Sequence, residues 1–169
     1  MERFSDGSFY NPSCGNLSLE EMIIEMTDWM KSKPESFYDI IVGCDSPSSE
    51  TPHFPVVVVI LRTGEGGRFF IKKIFYDKRK FYNWHQRILE EVLLSCELAS
   101  FLRERFVRKI IELGNNLNYQ FRYIHADVGE NGPTKDMVKE VTGLIMGNGF
   151  EPKIKPQSYA ASVVADRYT

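Results

Sequence analysis

Asp39-Ile40-Ile41-Val42-Gly43-Cys44-Asp45-Ser46 is a β-branched, apolar run that stops at a carboxylate and a Ser46-Pro47 turn. A run this hydrophobic reads as a strand buried on both faces of a sheet. Side chains alternate along a strand, so Ile41, Gly43 and Asp45 share one face, and Gly43 clears space beside the carboxylate. Alone, Asp45 reads more readily as the cap of the turn. A second copy downstream changes that reading. Tyr123-Ile124-His125-Ala126-Asp127-Val128-Gly129 again carries an apolar strand into Asp and a Gly/Asn turn, with His125 and Asp127 on one face. If the two strands are parallel, Asp45 and Asp127 emerge side by side at the carboxyl edge, where α/β sheets place their sites. Adjacent carboxylates repel each other unless a cation sits between them. Oxygen ligands suit Mg²⁺ or Mn²⁺ better than zinc.

Outward from these strands the chain reads as alternating elements. Residues 1–16 form a polar, irregular arm. Ser18-Leu19-Glu20-Glu21 is a capping box that opens an extra N-terminal helix over 18–33, with Met22, Ile23, Met26, Trp29 and Met30 at helical spacing and Pro34 beyond. After the Asp45 strand, Val56 to Leu61 and Arg68 to Phe75 are strands joined by a Gly-rich hairpin turn. Trp84 to Ile111 is a long helix whose buried stripe runs through Ile88, Val92, Ser95, Ala99, Leu102 and Phe106. Gly114-Asn115-Asn116 stops it. The Asp127 strand follows, then a helix opened by Pro133, a strand over 150–155 and a final short helix over 158–168. Short loops imply antiparallel neighbours, and helical crossovers imply parallel ones. The expectation is an α/β domain with a mixed five-stranded sheet, its first three strands antiparallel and its fourth and fifth parallel to the first, with helices on both faces.

Composition sets limits on function. The 169 residues carry a net charge of −2, which gives no global electrostatic reason to bind nucleic acid, so any such contact must be local. Three cysteines without CxxC spacing argue against a disulfide framework or a zinc site, and Cys44 and Cys96 sit in apolar runs as core residues. The first residues are no signal peptide and no segment suits a bilayer, so the chain reads as soluble and cytoplasmic, without a membrane partner. Gly129 to Lys135 lacks the glycine spacing of a P-loop, and Val138 stands where an EF-hand loop needs Glu.

Three motifs carry a resemblance: Gly43-Cys44-Asp45-Ser46, Asp127-Val128-Gly129-Glu130-Asn131-Gly132-Pro133-Thr134-Lys135, and Lys155 through Asp166. With them, the chain resembles the YkuK-type family of bacterial proteins, described as predicted ribonuclease H-related nucleases, over nearly its whole length. Cys44 and Pro47 depart from that family's more usual Thr and Gln beside the Asp-Ser pair. The resemblance implies a single ribonuclease H-like domain over 1–169 and a divalent-metal-dependent nuclease of RNA or DNA. It further implies a two-ion Mg²⁺ or Mn²⁺ site, with carboxylates from strand one, the long helix, strand four and the last helix. Asp45 and Asp127 match the strand positions, and Asp166 the last helix. On the long helix Glu90, Glu91 and Glu97 compete. Glu91 shares a face with Ile88, Ser95 and Leu98 and is chosen, with Glu97 in reserve, while Glu90 and Glu97 read as more solvated. Ser46 and His125 would stand behind these ligands, although a lone strand histidine is more often simply packed.

The same topology places the loop after the third strand at the active edge. Its Lys78, Arg79, Lys80, Tyr82 and Trp84 interleave cations with rings, as a nucleic-acid strand requires, and Lys135 extends the patch. The competing reading is a solvated charge cluster before an amphipathic helix. Two other functions stay open: a nucleic-acid-binding or interaction protein with little catalysis, and a hydrolase of a small phosphate ester.

Overall fold

A computed structural model describes residues 2–114 and 116–169; Met1 of the expected arm and Asn115 of the expected helix stop lie outside them. In chain order the elements are α1 (Glu2–Ser5), β1 (Phe9–Asn11), β2 (Gly15–Leu17), α2 (Leu19–Lys31), β3 (Phe37–Cys44), β4 (Phe54–Arg62), β5 (Gly66–Ile74), α3 (Trp84–Glu112), β6 (Asn118–His125), α4 (Val138–Gly147) and β7 (Glu151–Lys153). A π-helical turn (Ala160–Ala165) and a 3₁₀ turn (Asp166–Tyr168) complete the chain. Among the described residues no helix is long and apolar enough to cross a membrane.

The mixed sheet has seven strands, not five, in the order β2-β1-β5-β4-β3-β6-β7. The strands over 37–44, 54–62 and 66–74 do pair antiparallel, and β6 lies parallel to both β3 and β7. What changes the count and the order is the arm, which is not irregular. Asn11 accepts the amides of Ser13 and Cys14 at 2.8 and 2.9 Å, Gly15 takes a φ of 75°, and β1 returns as a hairpin that extends the sheet beyond β5. Strands of three residues are too short to show a period in the sequence.

The two faces of the sheet are covered unequally. Tyr38, Ile40, Val42 and Cys44 alternate onto the face that buries α2, α3 and α4, while Ile41, Val57, Val59 and Ile71 meet Ala160 and Ala165 on the other. The second face thus carries the C-terminal turn in place of an α-helix. Helix α2 has the expected cap: Glu21 N donates to Ser18 Oγ at 3.2 Å and Ser18 N donates to Glu21 Oε2 at 2.7 Å. Helix α3 is capped by Asn83, whose side chain accepts the Gln86 amide at 3.0 Å, and it buries Val92, Ser95, Ala99, Leu102 and Phe106 as its stripe demands.

The parallel pair β3/β6 positions the site. Gly43 is level with His125, so the chain emerges from both strands at one edge with Asp45 and Asp127 next out. Pairing outlasts the strands: Ala126 N donates to Lys153 O at 2.9 Å and Lys155 N to Val128 O at 2.8 Å. Phe81 N donates to Glu50 O at 2.8 Å and ties the loop after β5 to the loop after β3 at that edge.

Candidate active site

Four carboxylates approach one another at the carboxyl edge, and they come from both sides of the sheet. Asp45, half-buried just past β3, has a pKa pushed up to about 7. Burial is the main cause; the Ser46 amide holds it down, and Asp127 and Asp166 push it up. Glu91 reaches in from α3 and is only 6% exposed. Burial raises its pKa well above the usual carboxylate range, Asp45 and Asp127 add to the rise, and a Ser46 hydrogen bond opposes it. That bond is short, with Ser46 Oγ donating to Glu91 Oε1 at 2.6 Å. Asp127 pairs through Oδ2 with Lys155 Nζ at 3.0 Å, while its Oδ1 is buried and has no hydrogen-bond partner.

Asp166 arrives from the opposite face on the C-terminal turn. That turn is anchored rather than frayed. The Tyr168 ring packs on Phe69 at 5.9 Å, and its carbonyl oxygen meets His53 Nε2 at 3.0 Å. Gly43 makes the approach possible, because a Cβ there would stand 2.8 Å from the Ala161 backbone nitrogen.

Asp45, Ser46, Glu91 and Asp127 line a cleft of about 330 Å³ whose walls include Trp84, Arg87, Thr134 and Lys155. The donors are hard oxygens, crowded like charges and one bare buried carboxylate oxygen, a set whose chemistry fits Mg²⁺ or Mn²⁺. They are not drawn tight around one point: among the described residues no group of three or more His, Cys, Asp or Glu side chains is close enough to hold an ion. Ser46, Lys155 and Asp166 occupy the carboxylates instead.

A family model described as "Ribonuclease H-like" matches residues 21–169. The chain belongs to the ribonuclease H-like family. Within it, the chain is of the YkuK type: it is 30% identical over 167 residues to the "Uncharacterized protein YkuK" of Bacillus subtilis (strain 168), covering 95% of this chain and 96% of that protein. No solved structure matches the chain.

In this ribonuclease H-like chain the remaining sequence candidates divide. Glu90 is not solvated: it is 5% exposed, accepts the Tyr76 hydroxyl and pairs with Arg79 at 2.7 Å. The loop after β5 folds back over α3 and covers it, and Glu90 does not line the cleft that Glu91 lines. Glu97 is half-buried and pairs with Arg3 at 3.4 Å, far from the cleft lining. His125 is packed: its Nδ1 accepts the Ala160 amide at 3.1 Å, and Tyr159 meets its ring edge-on at 4.7 Å. Of the six residues expected to meet nucleic acid, only Trp84 lines the cleft. Arg79 is spent on Glu90 and the Phe81 ring, 4.6 Å away, and Lys80 pairs with Glu50 at 3.7 Å. Lys78, Tyr82 and Lys135 are exposed outside it. Arg87 was missed. It stands one helical turn before Glu91 and lines the cleft, a position that i, i+4 spacing from Glu91 makes visible in the sequence.

Proposed function

We propose that the protein is a divalent-metal-dependent nuclease that hydrolyses phosphodiester bonds of RNA or DNA. The observation that carries this reading is the bare, buried Oδ1 of Asp127 among converging carboxylates at the strand edge. Family membership supports the reaction class, and the site supports the residues. Asp45, Glu91, Asp127 and Asp166 would hold Mg²⁺ or Mn²⁺. A bound ion there supplies a more acidic water and offsets charge on the leaving oxygen. Ser46 orients Glu91, burial excludes bulk water from Glu91, Arg87 faces a phosphate, and the Trp84 indole offers a stacking surface for a base.

The test is cleavage of labelled single-stranded, duplex and hybrid oligonucleotides in Mn²⁺ by the parent protein and by Asp45→Asn. Metal-dependent cleavage that falls about a hundredfold or more in Asp45→Asn is the expected result, since a lost metal ligand costs several kcal/mol of barrier. A second reading, hydrolysis of a small phosphate ester, draws support from the cleft volume of about 330 Å³, at the small end for ligand sites. Turnover of a nucleoside monophosphate or similar ester with no oligonucleotide cleavage would select it. Oligonucleotide binding by both proteins without any turnover would select a binding protein on this fold.

A further inference from the structure

We propose that the Lys155 ammonium takes the place of a second cation, so that this site binds one divalent ion rather than the two its family resemblance implies. The inference rests on the metal-dependent reading above and concerns how its carboxylates are neutralised.

Two-ion sites hold their cations about 4 Å apart, and a carboxylate that serves both gives one oxygen to each. Asp127 has only one oxygen to give. Its Oδ2 lies 3.0 Å from Lys155 Nζ, and only Oδ1 is buried and unpartnered. Mg²⁺ needs oxygen at about 2.0–2.1 Å in near-octahedral order. An oxygen already engaged by an ammonium offers neither the room nor the charge for it.

The lysine is held in place by its backbone. Lys155 N donates to Val128 O at 2.8 Å, extending the β6/β7 pairing past both strands. A Cβ on Gly129 would stand 3.3 Å from Lys155 Cβ, so the two segments lie in contact. The ammonium therefore reaches Asp127 from an adjoining chain segment fixed by main-chain bonds. The other carboxylates are partly satisfied as well. Ser46 occupies Glu91 Oε1, and Arg87 acts on Glu91 from the cleft wall. What remains for a metal is the second oxygen of Glu91, the Asp45–Asp166 pair, which share a hydrogen bond, and the inner oxygen of Asp127, donors for one ion with waters completing its shell.

Counting bound Mn²⁺ by calorimetry and by electron paramagnetic resonance tests this on the full chain. The parent and Lys155→Arg are expected to bind one ion, and Lys155→Met, which keeps the aliphatic stem and loses the charge, is expected to bind two. Lys155 is about half exposed, so the Met variant should fold; Lys155→Gln is read in its place if thermal unfolding in EDTA shows otherwise. Two ions in the parent, or one in both uncharged variants, would overturn the lysine's role while leaving the metal site standing. No saturable Mn²⁺ in any of them, or binding that Asp45→Asn leaves intact, would overturn the metal-dependent reading along with it.

Discussion

His125 shows how a single residue sets the geometry of the second sheet face. Its Nδ1 accepts a hydrogen bond from Ala160 N, so the ring must be neutral with its proton on Nε2. Burial, aided by the Lys153 ammonium, lowers its pKa to about 4. Between that value and the ordinary one near 6.5, the unfolded chain binds a proton that the folded chain refuses. Stability is therefore fully present above pH 6.5 and is lost as pH falls towards 4. The shift corresponds to about 3 kcal/mol at most. His125→Asn keeps an acceptor at the Nδ1 position and cannot titrate. Urea unfolding from pH 7.5 to 4 should show the parent losing ground to the variant by a few kcal/mol, about 3 at the limit. Parallel pH profiles for the two proteins would refute this account. Because the carboxylates and the other histidines are the same in both proteins, the difference isolates His125.

At the level of elements, the C-terminal turn is the piece whose placement brings in Asp166. It rests on β3 at Gly43, where an added Cβ would stand 2.8 Å from Ala161 N and 3.0 Å from the Ala160 carbonyl carbon. Both are backbone atoms and cannot rotate away. Gly43→Ala must therefore push the turn off the sheet, at a cost of about 1–3 kcal/mol. Asp166 moves with it, and Asp45, freed from part of its burial and from a facing carboxylate, should titrate below its present value of about 7. Thermal unfolding and carboxyl ¹³C titration read the two effects; a variant as stable as the parent would show that the turn is not seated as described. Gly43 beside Asp45 was legible in the sequence, because alternation puts both on one face. The π-helical turn was not, since Ser158-Tyr159-Ala160-Ala161 reads as an ordinary helix start. The capping box at Ser18 and the stripe of α3 were legible because local hydrogen bonding and burial decide them. The hairpin over 9–17 was hidden because β1 is held by pairing with β5, a long-range contact that leaves no periodic trace. In the same way, Asp45 and Asp127 could be found from strand endings, whereas the pairing of Lys155 with Asp127 needed the β6/β7 register.

For the whole molecule, the question is how a chain with a net charge of −2 would meet a polyanion. The loop after β5 looked like a basic platform in the sequence, but its own fold uses up much of that charge. Arg79 neutralises buried Glu90, Lys80 meets Glu50, and in the cleft Lys155 meets Asp127. Under the proposed function, Arg87, which donates to Ser48 Oγ at 3.3 Å and faces Glu91, and exposed Lys78 would supply the phosphate contacts. Each phosphate neutralised on a single strand adds about 0.7 to the salt exponent, so binding measured in Ca²⁺ should follow a slope of about −1.4 in log K against log salt. Arg87→Ala should lower that magnitude by about half. If the loop instead released its internal partners and engaged with Lys78, Arg79, Lys80, Lys135 and Arg87 together, the slope would steepen to about −3.5. Fluorescence anisotropy of a labelled oligonucleotide across a salt series separates the two. A shallow slope would make the cleft itself the binding surface and the loop a strut for α3. A steep one, flattened by neutralising Lys78 and Lys80, would restore the loop as the platform on which a strand is laid before it reaches Asp45.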